Sequence, residues 1–137
     1  MIDLFVDHIQ KSSTNADIII GLESRGFLIG PLIALRLNVP FVPIRKKGKL
    51  PGNVMQLSYE LEYSSDTFEV QVDSLGNGKN VVLVDDLLAT GGTMKCAAQL
   101  VESLNCKVVS GMVVIELVDL KGRERLSGLN VHSLIKY

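Results

Sequence analysis

The chain has 137 residues, of which 47% are hydrophobic, and its formal net charge at pH 7 is −1. This length suits one folded domain with a single core and is too short for two ordinary domains. The near-neutral charge gives no general attraction to nucleic acid or to an anionic membrane, and no apolar run is long enough to span a bilayer. Cys96 and Cys106 form no metal-ligand cluster. We therefore expect a cytoplasmic protein with two reduced thiols and no nucleic-acid or membrane partner.

The predicted elements follow the apolar pattern along the chain. They are a helix that begins near Ile2, a strand from Ala16 to Gly21, a helix from about Gly26 to Leu37 and a strand from Pro40 to Ile44. Two-residue alternation between Met55 and Asp73 indicates an antiparallel hairpin. After it come a strand at Val81 to Val84, a helix at Thr93 to Leu104, a strand at Lys107 to Leu117, a short helix at Leu120 to Leu126 and a strand at Val131 to Ile135. This alternation predicts an α/β fold, with a mainly parallel twisted sheet, helices on both faces and a flexible β-hairpin.

The segment from Val81 to Thr93 carries the strongest functional pattern, reading Val-Val-Leu-Val-Asp-Asp-Leu-Leu-Ala-Thr-Gly-Gly-Thr. The apolar run is typical of a strand buried on both faces, and ligands in open α/β sheets bind beyond the carboxyl ends of such strands. The loop that follows consists of Ala89, Thr90, Gly91, Gly92 and Thr93. Its amides, hydroxyl groups and helix start suit a phosphate monoester. We expect the adjacent Asp85 and Asp86 to accept hydrogen bonds from vicinal ribose hydroxyl groups.

Two further polar segments follow predicted strands. Ser24 and Arg25 come directly after the first strand, at the start of a helix, where they can bind a second anionic group such as pyrophosphate. Arg45-Lys46-Lys47-Gly48-Lys49 places four cations in five residues after the second strand. Such a run is usually a solvated loop, but here it leaves the same edge of the sheet. It also lacks the interleaved aromatic residues of a nucleic-acid patch.

The Val81 to Thr93 pattern resembles the phosphoribosyl-pyrophosphate (PRPP) signature of the type I phosphoribosyltransferases. Three further stretches resemble the adenine phosphoribosyltransferase family, and together the four segments are spread over most of the chain. These stretches are Gly21-Leu22-Glu23-Ser24-Arg25-Gly26-Phe27, Ile44 to Gly52, and Leu120-Lys121-Gly122-Arg123. The resemblance implies an enzyme of purine salvage, which converts adenine and PRPP to AMP and pyrophosphate with Mg²⁺ bound through the substrate, and it implies a homodimer.

The resemblance also implies roles for individual residues. Ser24, Arg25, Arg45 and Lys49 would handle pyrophosphate. Glu62 and Tyr63 would lie on the flexible hairpin loop over the reaction centre, with Glu62 and Arg25 taking part in catalysis. Asp85, Asp86 and residues 89–93 would bind ribose and phosphate.

The family also carries an N-terminal segment that forms a hood over the adenine. This chain begins inside the helix that follows that segment, so we expect a single core domain over residues 1–137 without the hood. Such a core could keep the transferase activity in a weakened form. The alternative is a non-catalytic protein that binds PRPP or a nucleotide, or that regulates a full-length partner.

Overall fold

The computed structural model describes residues 1–13, 15–61 and 63–137. Three helices lie among the strands: α1 (Ile2–Lys11), α2 (Gly26–Leu37) and α3 (Gly92–Glu102). The strands are β1 (Ile18–Leu22), β2 (Phe41–Lys46), β3 (Val54–Glu60), β4 (Ser65–Gln71), β5 (Asn80–Leu88), β6 (Lys107–Glu116) and β7 (Val131–Lys136). Short 3₁₀ helices occupy Val72–Ser74, Val118–Leu120 and Gly122–Leu126. The predicted helix from Gly26 to Leu37 is confirmed, whereas the single helix predicted from Leu120 to Leu126 is two 3₁₀ segments.

All seven strands form one sheet in the order β3-β4-β2-β1-β5-β6-β7. The five strands β2, β1, β5, β6 and β7 pair in parallel with their neighbours in this order. The β3-β4 hairpin is antiparallel and joins the sheet through two residue pairs between β2 and β4. The predicted mixed sheet with a projecting hairpin is therefore confirmed.

Separate apolar cores fill the two faces of the sheet. Ile20, Leu83 and Leu100 belong to the core on the α3 side. Ile19 and Val82 belong to the core on the side of α1 and α2. Successive residues of a strand point to opposite faces, so the continuous apolar runs of β1 and β5 supply both cores. None of the helices in the three described ranges combines the length and apolar character that a membrane span requires.

Strand β5 is longer than the sequence indicates. Its pairing with β1 ends at Val84, but its pairing with β6 continues from Asp85 to Leu88. Asp85 and Asp86 therefore lie inside the strand rather than after its end. They are nevertheless open on one side, because β1 no longer covers this part of β5.

Candidate active site

A cleft of about 610 Å³ opens at the carboxyl ends of β1 and β5. Most of its lining comes from three segments: residues 23–25 after β1, residues 85–94 from β5 to α3, and two lysines, one at the end of β2 and one in the loop that follows it. Its predicted members are Ser24, Arg25, Lys49, Asp85, Asp86, Ala89, Thr90, Gly91, Gly92 and Thr93. The structure thus brings ten of the thirteen predicted site residues into one cavity. Its shape and chemistry depend on how each segment is held.

Residues Ala89–Thr93, here called the small-residue loop, run from the end of β5 into the first turn of α3. Gly91 has a φ of 85°, a left-handed conformation that favours glycine, and α3 begins at the next residue. The first amide groups of a helix lack carbonyl partners within the helix, and they carry its positive dipole end. The loop therefore presents backbone donors to the cleft, as an anion site requires.

The two acids of β5 differ in surroundings. Asp86 pairs with the Arg25 guanidinium, and its side chain is 29% exposed. Burial, together with the neighbouring Asp86 charge, raises the pKa of Asp85 to about 7 from an ordinary value of 3.8. The amide N–H of Asp86 donates to Asp85 Oδ1 at 2.8 Å. Near neutral pH, Asp85 can therefore both donate and accept hydrogen bonds, a combination that suits contact with hydroxyl groups.

Close packing at the start of α2 places Arg25 beside β5. A Cβ atom added to Gly26 would lie 2.5 Å from the carbonyl oxygen of Val84, so only glycine allows this approach. Arg25 precedes Gly26, and Asp86 follows Val84 by two residues. The ion pair between Arg25 and Asp86 results from this packing. The Arg25 side chain is still 67% exposed and can accept another anionic partner.

The basic segment Arg45–Lys49 begins in the last two residues of β2, and its cations do not all line the cleft. Lys46 and Lys49 line the cleft. Arg45 does not: its Nη2 and Nε atoms bind Glu23 Oε1 at 2.6 and 3.1 Å. Its guanidinium also lies 5.8 Å from the centre of the Phe27 ring. Arg45 thus joins the end of β2 to the loop that follows β1, and no sequence pattern indicates that Glu23 would bind it.

A buried carboxylate organises the backbone of the same segment. Glu69 is 1% exposed and accepts hydrogen bonds from the amide groups of Gly48 and Leu50, each at 2.8 Å. The Gln56 side chain donates a third bond at 3.1 Å. Burial acts to raise the pKa of Glu69, but these hydrogen bonds outweigh it and hold the pKa below its ordinary value. Lys49 lies between the two anchored amides, so Glu69 fixes its position at the cleft.

The hairpin contributes differently from the expectation. Tyr63 is 93% exposed and does not line the cleft, and Glu62 lies outside the described residues. Instead Tyr59, on β3, lines the cleft, as does Thr93. Burial raises the pKa of the Tyr59 hydroxyl group. Its place in the two-residue alternation indicated a strand position but not the face on which it would lie.

No three His, Cys, Asp or Glu side chains within residues 1–13, 15–61 and 63–137 are grouped so that they could hold a metal ion by themselves. Three carboxylates line the cleft, of which Glu23 is bound by Arg45, so Asp85 and Asp86 remain for a ligand. Carboxylate oxygens are ligands that Mg²⁺ prefers, and these acids together with several cations fit a metal that arrives with an anionic ligand.

Comparison with known proteins defines the class to which this cleft belongs. Residues 1–129 match the model of the phosphoribosyl transferase domain, so the chain belongs to that family. The adenine phosphoribosyltransferase of Drosophila pseudoobscura pseudoobscura is 51% identical over 135 residues, which are 98% of this chain and 74% of the relative. Within the phosphoribosyltransferases, the chain therefore belongs to the adenine phosphoribosyltransferase family.

Solved structures agree with this placement. Adenine phosphoribosyltransferase from Saccharomyces cerevisiae, complexed with D-2,5-dideoxy-2,5-imino-altritol 1,6-bisphosphate and adenine, matches with a TM-score of 0.93 and 47% identity. The match covers 97% of this chain and 76% of the yeast chain. The Trypanosoma brucei enzyme in complex with AMP, pyrophosphate and ribose-5-phosphate has a TM-score of 0.91 and 35% identity, over 98% of this chain and 62% of that one. The fold around the cleft is therefore the fold of these enzymes.

Proposed function

We propose that this chain transfers the 5-phosphoribosyl group of PRPP to adenine, forming AMP and pyrophosphate in purine salvage. The observation that carries the proposal is that one cleft is lined by the small-residue loop, by Asp85 and Asp86, and by Arg25 and Lys49. A ligand with a phosphate, a ribose and a pyrophosphate group matches this set of donors and acceptors. The complexes of the yeast and trypanosome relatives contain adenine, AMP, pyrophosphate and ribose-5-phosphate or a bisphosphate, which supports the same assignment.

The phosphate end would bind to the small-residue loop. Backbone amides at the start of α3 and the hydroxyl groups of Thr90 and Thr93 supply donors for a phosphate monoester. Asp85 and Asp86 come next along the cleft and would bind the two ribose hydroxyl groups. Tyr59 would help to close this end, because it lines the same cleft as Thr93.

The reaction breaks the bond between the ribose anomeric carbon and pyrophosphate, and it forms a bond from that carbon to a ring nitrogen of adenine. The purine loses the proton of that nitrogen, and the bonding electron pair leaves with pyrophosphate. Arg25, Lys46 and Lys49 would stabilise the departing anion together with the hydroxyl group of Ser24. Charge positioned at a developing anion can lower a barrier by several kcal/mol. A bound Mg²⁺ ion would neutralise part of the pyrophosphate charge.

Three further residues, Arg45, Glu62 and Tyr63, have proposed roles that depend on movement of the segments around the cleft. Arg45 would act on pyrophosphate only by leaving Glu23, and its present contacts favour a role in joining the two loops. Glu62 would carry the proton to or from the purine, and Tyr63 would cover the reaction centre when the hairpin closes. The exposure of Tyr63 is compatible with such a closing movement.

A homodimer and a cytoplasmic location complete the proposal. Leu28, Leu32 and Leu35 lie on α2 at helical spacing, and their exposed fractions are 72%, 49% and 77%. A row of exposed leucines is typical of a surface that a partner covers. Cys96 and Cys106 are buried free thiols, as in a reducing compartment. Sedimentation of the chain, compared with a Leu28→Glu, Leu35→Glu variant, tests the dimer: the variant should sediment as a monomer.

The direct test of the activity is AMP formation from adenine, PRPP and Mg²⁺ by this chain. The expected result is AMP formation that depends on all three and is abolished by Asp85→Asn combined with Asp86→Asn. Asp73→Asn, at an exposed position outside the cleft, is the matched control. Tight PRPP binding without AMP formation would instead identify a non-catalytic nucleotide-binding or regulatory protein.

A further inference from the structure

The 3₁₀ helix Gly122–Leu126 lies directly against the small-residue loop. A Cβ atom added to Gly122 would lie 2.3 Å from the carbonyl oxygen of Ala89. A Cβ atom added to Gly91 would lie 2.3 Å from the carbonyl oxygen of Gly122. Each backbone therefore occupies the space that a side chain on the other would need. A displacement of the 3₁₀ helix must displace the loop as well.

Arg123 fastens this 3₁₀ helix to the sheet. Its Nε atom donates to Glu116 Oε1 at 2.6 Å, and its Nη2 atom donates to Glu116 Oε2 at 2.7 Å. These two parallel hydrogen bonds form a bidentate pair between the guanidinium and the carboxylate. Its Nη1 atom donates to the carbonyl oxygen of Val131 at 2.6 Å. One side chain therefore connects the 3₁₀ helix to both β6 and β7.

Glu116, the partner of Arg123, is itself buried and hydrogen-bonded. It is 5% exposed, and the Ser133 hydroxyl group donates to its Oε2 atom at 2.7 Å. Hydrogen bonds from Arg123 and Ser133 hold the pKa of Glu116 down to about 2, so it remains charged at any ordinary pH. Neither Glu116 nor Arg123 lines the cleft. Their effect on a ligand must pass through the Gly122 backbone.

We propose that Glu116 and Arg123 are positioning residues for the 5-phosphate group, acting through the contact of Gly122 with Ala89 and Gly91. This inference rests on the proposed function, because it requires the small-residue loop to bind a phosphate monoester. The planar arginine fork sets the distance between the sheet and the 3₁₀ helix, and that distance sets the position of the loop amides. Displacing binding groups by about 1 Å can cost up to about a hundredfold in activity.

The test compares ligands that do and do not use the loop. Calorimetry would measure the Kd of AMP, ribose-5-phosphate and pyrophosphate for the unaltered chain, Arg123→Lys and Glu116→Gln. Lysine keeps the charge but cannot form the fork, and glutamine keeps the shape but not the charge. Kd for AMP and ribose-5-phosphate should rise at least about tenfold. Kd for pyrophosphate should stay within about twofold, and KM for PRPP should change more than kcat.

Arg125→Ala is the matched control, because Arg125 is an exposed arginine on the same 3₁₀ helix. It should leave all three Kd values unchanged. If the Arg123 and Glu116 variants bind all three ligands more weakly by the same factor, the positioning role is wrong and the changes damage the fold in general. Unchanged AMP affinity in both variants would overturn it too.

A chain that binds neither AMP nor ribose-5-phosphate in its unaltered form would contradict the proposed function itself. If the Arg123 and Glu116 variants fail to fold, Ser133→Ala provides the same test in milder form. It removes one hydrogen bond to Glu116. It should weaken the binding of AMP by a smaller factor and leave the affinity for pyrophosphate unchanged. Equal affinities for AMP before and after this change would count against the proposal.

Discussion

Arg25 and Asp86 form an ion pair that joins the loop after β1 to strand β5, across 61 residues of sequence. Because both side chains are partly exposed, this pair contributes little to the stability of the fold. The ion pair matters because it links the proposed pyrophosphate loop to the proposed ribose site. An incoming pyrophosphate group would compete with Asp86 for the guanidinium.

Replacing Arg25 by alanine should weaken pyrophosphate binding more than AMP binding. Pyrophosphate would lose a charge-assisted hydrogen bond worth about 1.5–3 kcal/mol, which is roughly tenfold or more in Kd. Calorimetric titration with each ligand measures the difference. Arg36→Ala is the control, because Arg36 is an exposed arginine paired with Asp3 at 2.5 Å, away from the cleft. Equal losses for the two ligands would contradict the assignment of Arg25 to pyrophosphate.

Replacing Asp85 by asparagine should stabilise the free protein at alkaline pH and weaken AMP binding. The pKa of Asp85 in the fold, about 7, exceeds its ordinary value of 3.8, because burial disfavours the charged form. The stabilising contribution of the protonated group is complete below about pH 4 and is lost as the pH rises through 7. The asparagine variant should therefore gain about 1–3 kcal/mol in the free energy of unfolding at pH 8, and almost nothing at pH 4.

Urea unfolding at both pH values, together with AMP titration, measures these two effects of the Asp85 change. Asp73→Asn removes a charge at an exposed position and should show neither effect. A loss of stability at pH 8 in the Asp85 variant would show that its charged form is favoured in the fold. That result would contradict the stated cause of its raised pKa.

Replacing Gly91 by alanine should disrupt the small-residue loop. The added Cβ would lie 2.3 Å from the Gly122 carbonyl oxygen, and the φ of 85° is itself unfavourable for alanine. Gly128→Ala is a close control, because Gly128 has a φ of 86° and no atom within 4 Å of an added Cβ. Both variants should lose about 1–2 kcal/mol from the backbone conformation. Only Gly91→Ala should lose AMP binding, and equal affinities in the two variants would argue against the close packing.

Replacing Glu69 by glutamine should destabilise the fold and loosen the basic segment. The glutamine amide can no longer accept bonds from both Gly48 and Leu50, and an unsatisfied buried group costs about 1–3 kcal/mol. Because hydrogen bonding lowers the pKa of Glu69 below 4.5, its contribution is present above that pH and is lost as the pH falls through the lower value. The difference in the free energy of unfolding between the variant and the unaltered chain should therefore become smaller at acidic pH.

Denaturant unfolding at pH 7 and pH 3 measures the Glu69 effect. Pyrophosphate titration reports whether Lys49 has moved. Glu102→Gln, at an exposed site on α3, provides the comparison. A Glu69 variant with full stability and full pyrophosphate affinity would show that the amide contacts do not hold the segment.

Much of the fold could be predicted, because the apolar periods of helices and strands differ and because parallel strands require helical connections. The bounds of α2 match the sequence pattern at both ends. The extension of β5 through Asp85 to Leu88 could not be read, since it depends on β6 continuing beyond the end of β1. The 3₁₀ geometry after Leu120 could not be predicted either, because the local apolar pattern does not show that Arg123 bonds to Glu116 and Val131 on the neighbouring strands.

The candidate site could be predicted where neighbouring residues form a motif and not where partners are distant in sequence. Residues 85–93 are contiguous, and all of those predicted to bind ligand line the cleft. Arg45 was expected in the cleft, but Glu23 lies 22 residues away and holds it in the structure. The roles of Glu69 and Tyr59 were missed for the same reason. Where polar and apolar residues alternate along a strand, the sequence does not indicate which loop a given carboxylate or tyrosine contacts.

The sheet has a separate apolar core on each face. A ligand that spans the cleft would therefore contact segments that belong to both layers. The small-residue loop belongs to the layer of α3, whereas Arg25 belongs to the start of α2 on the other face. A short ligand such as ribose-5-phosphate would slow amide hydrogen exchange in the α3 layer alone. PRPP would slow it in both, and its protection would exceed that of its two halves added separately, because one end holds the other at a high effective concentration.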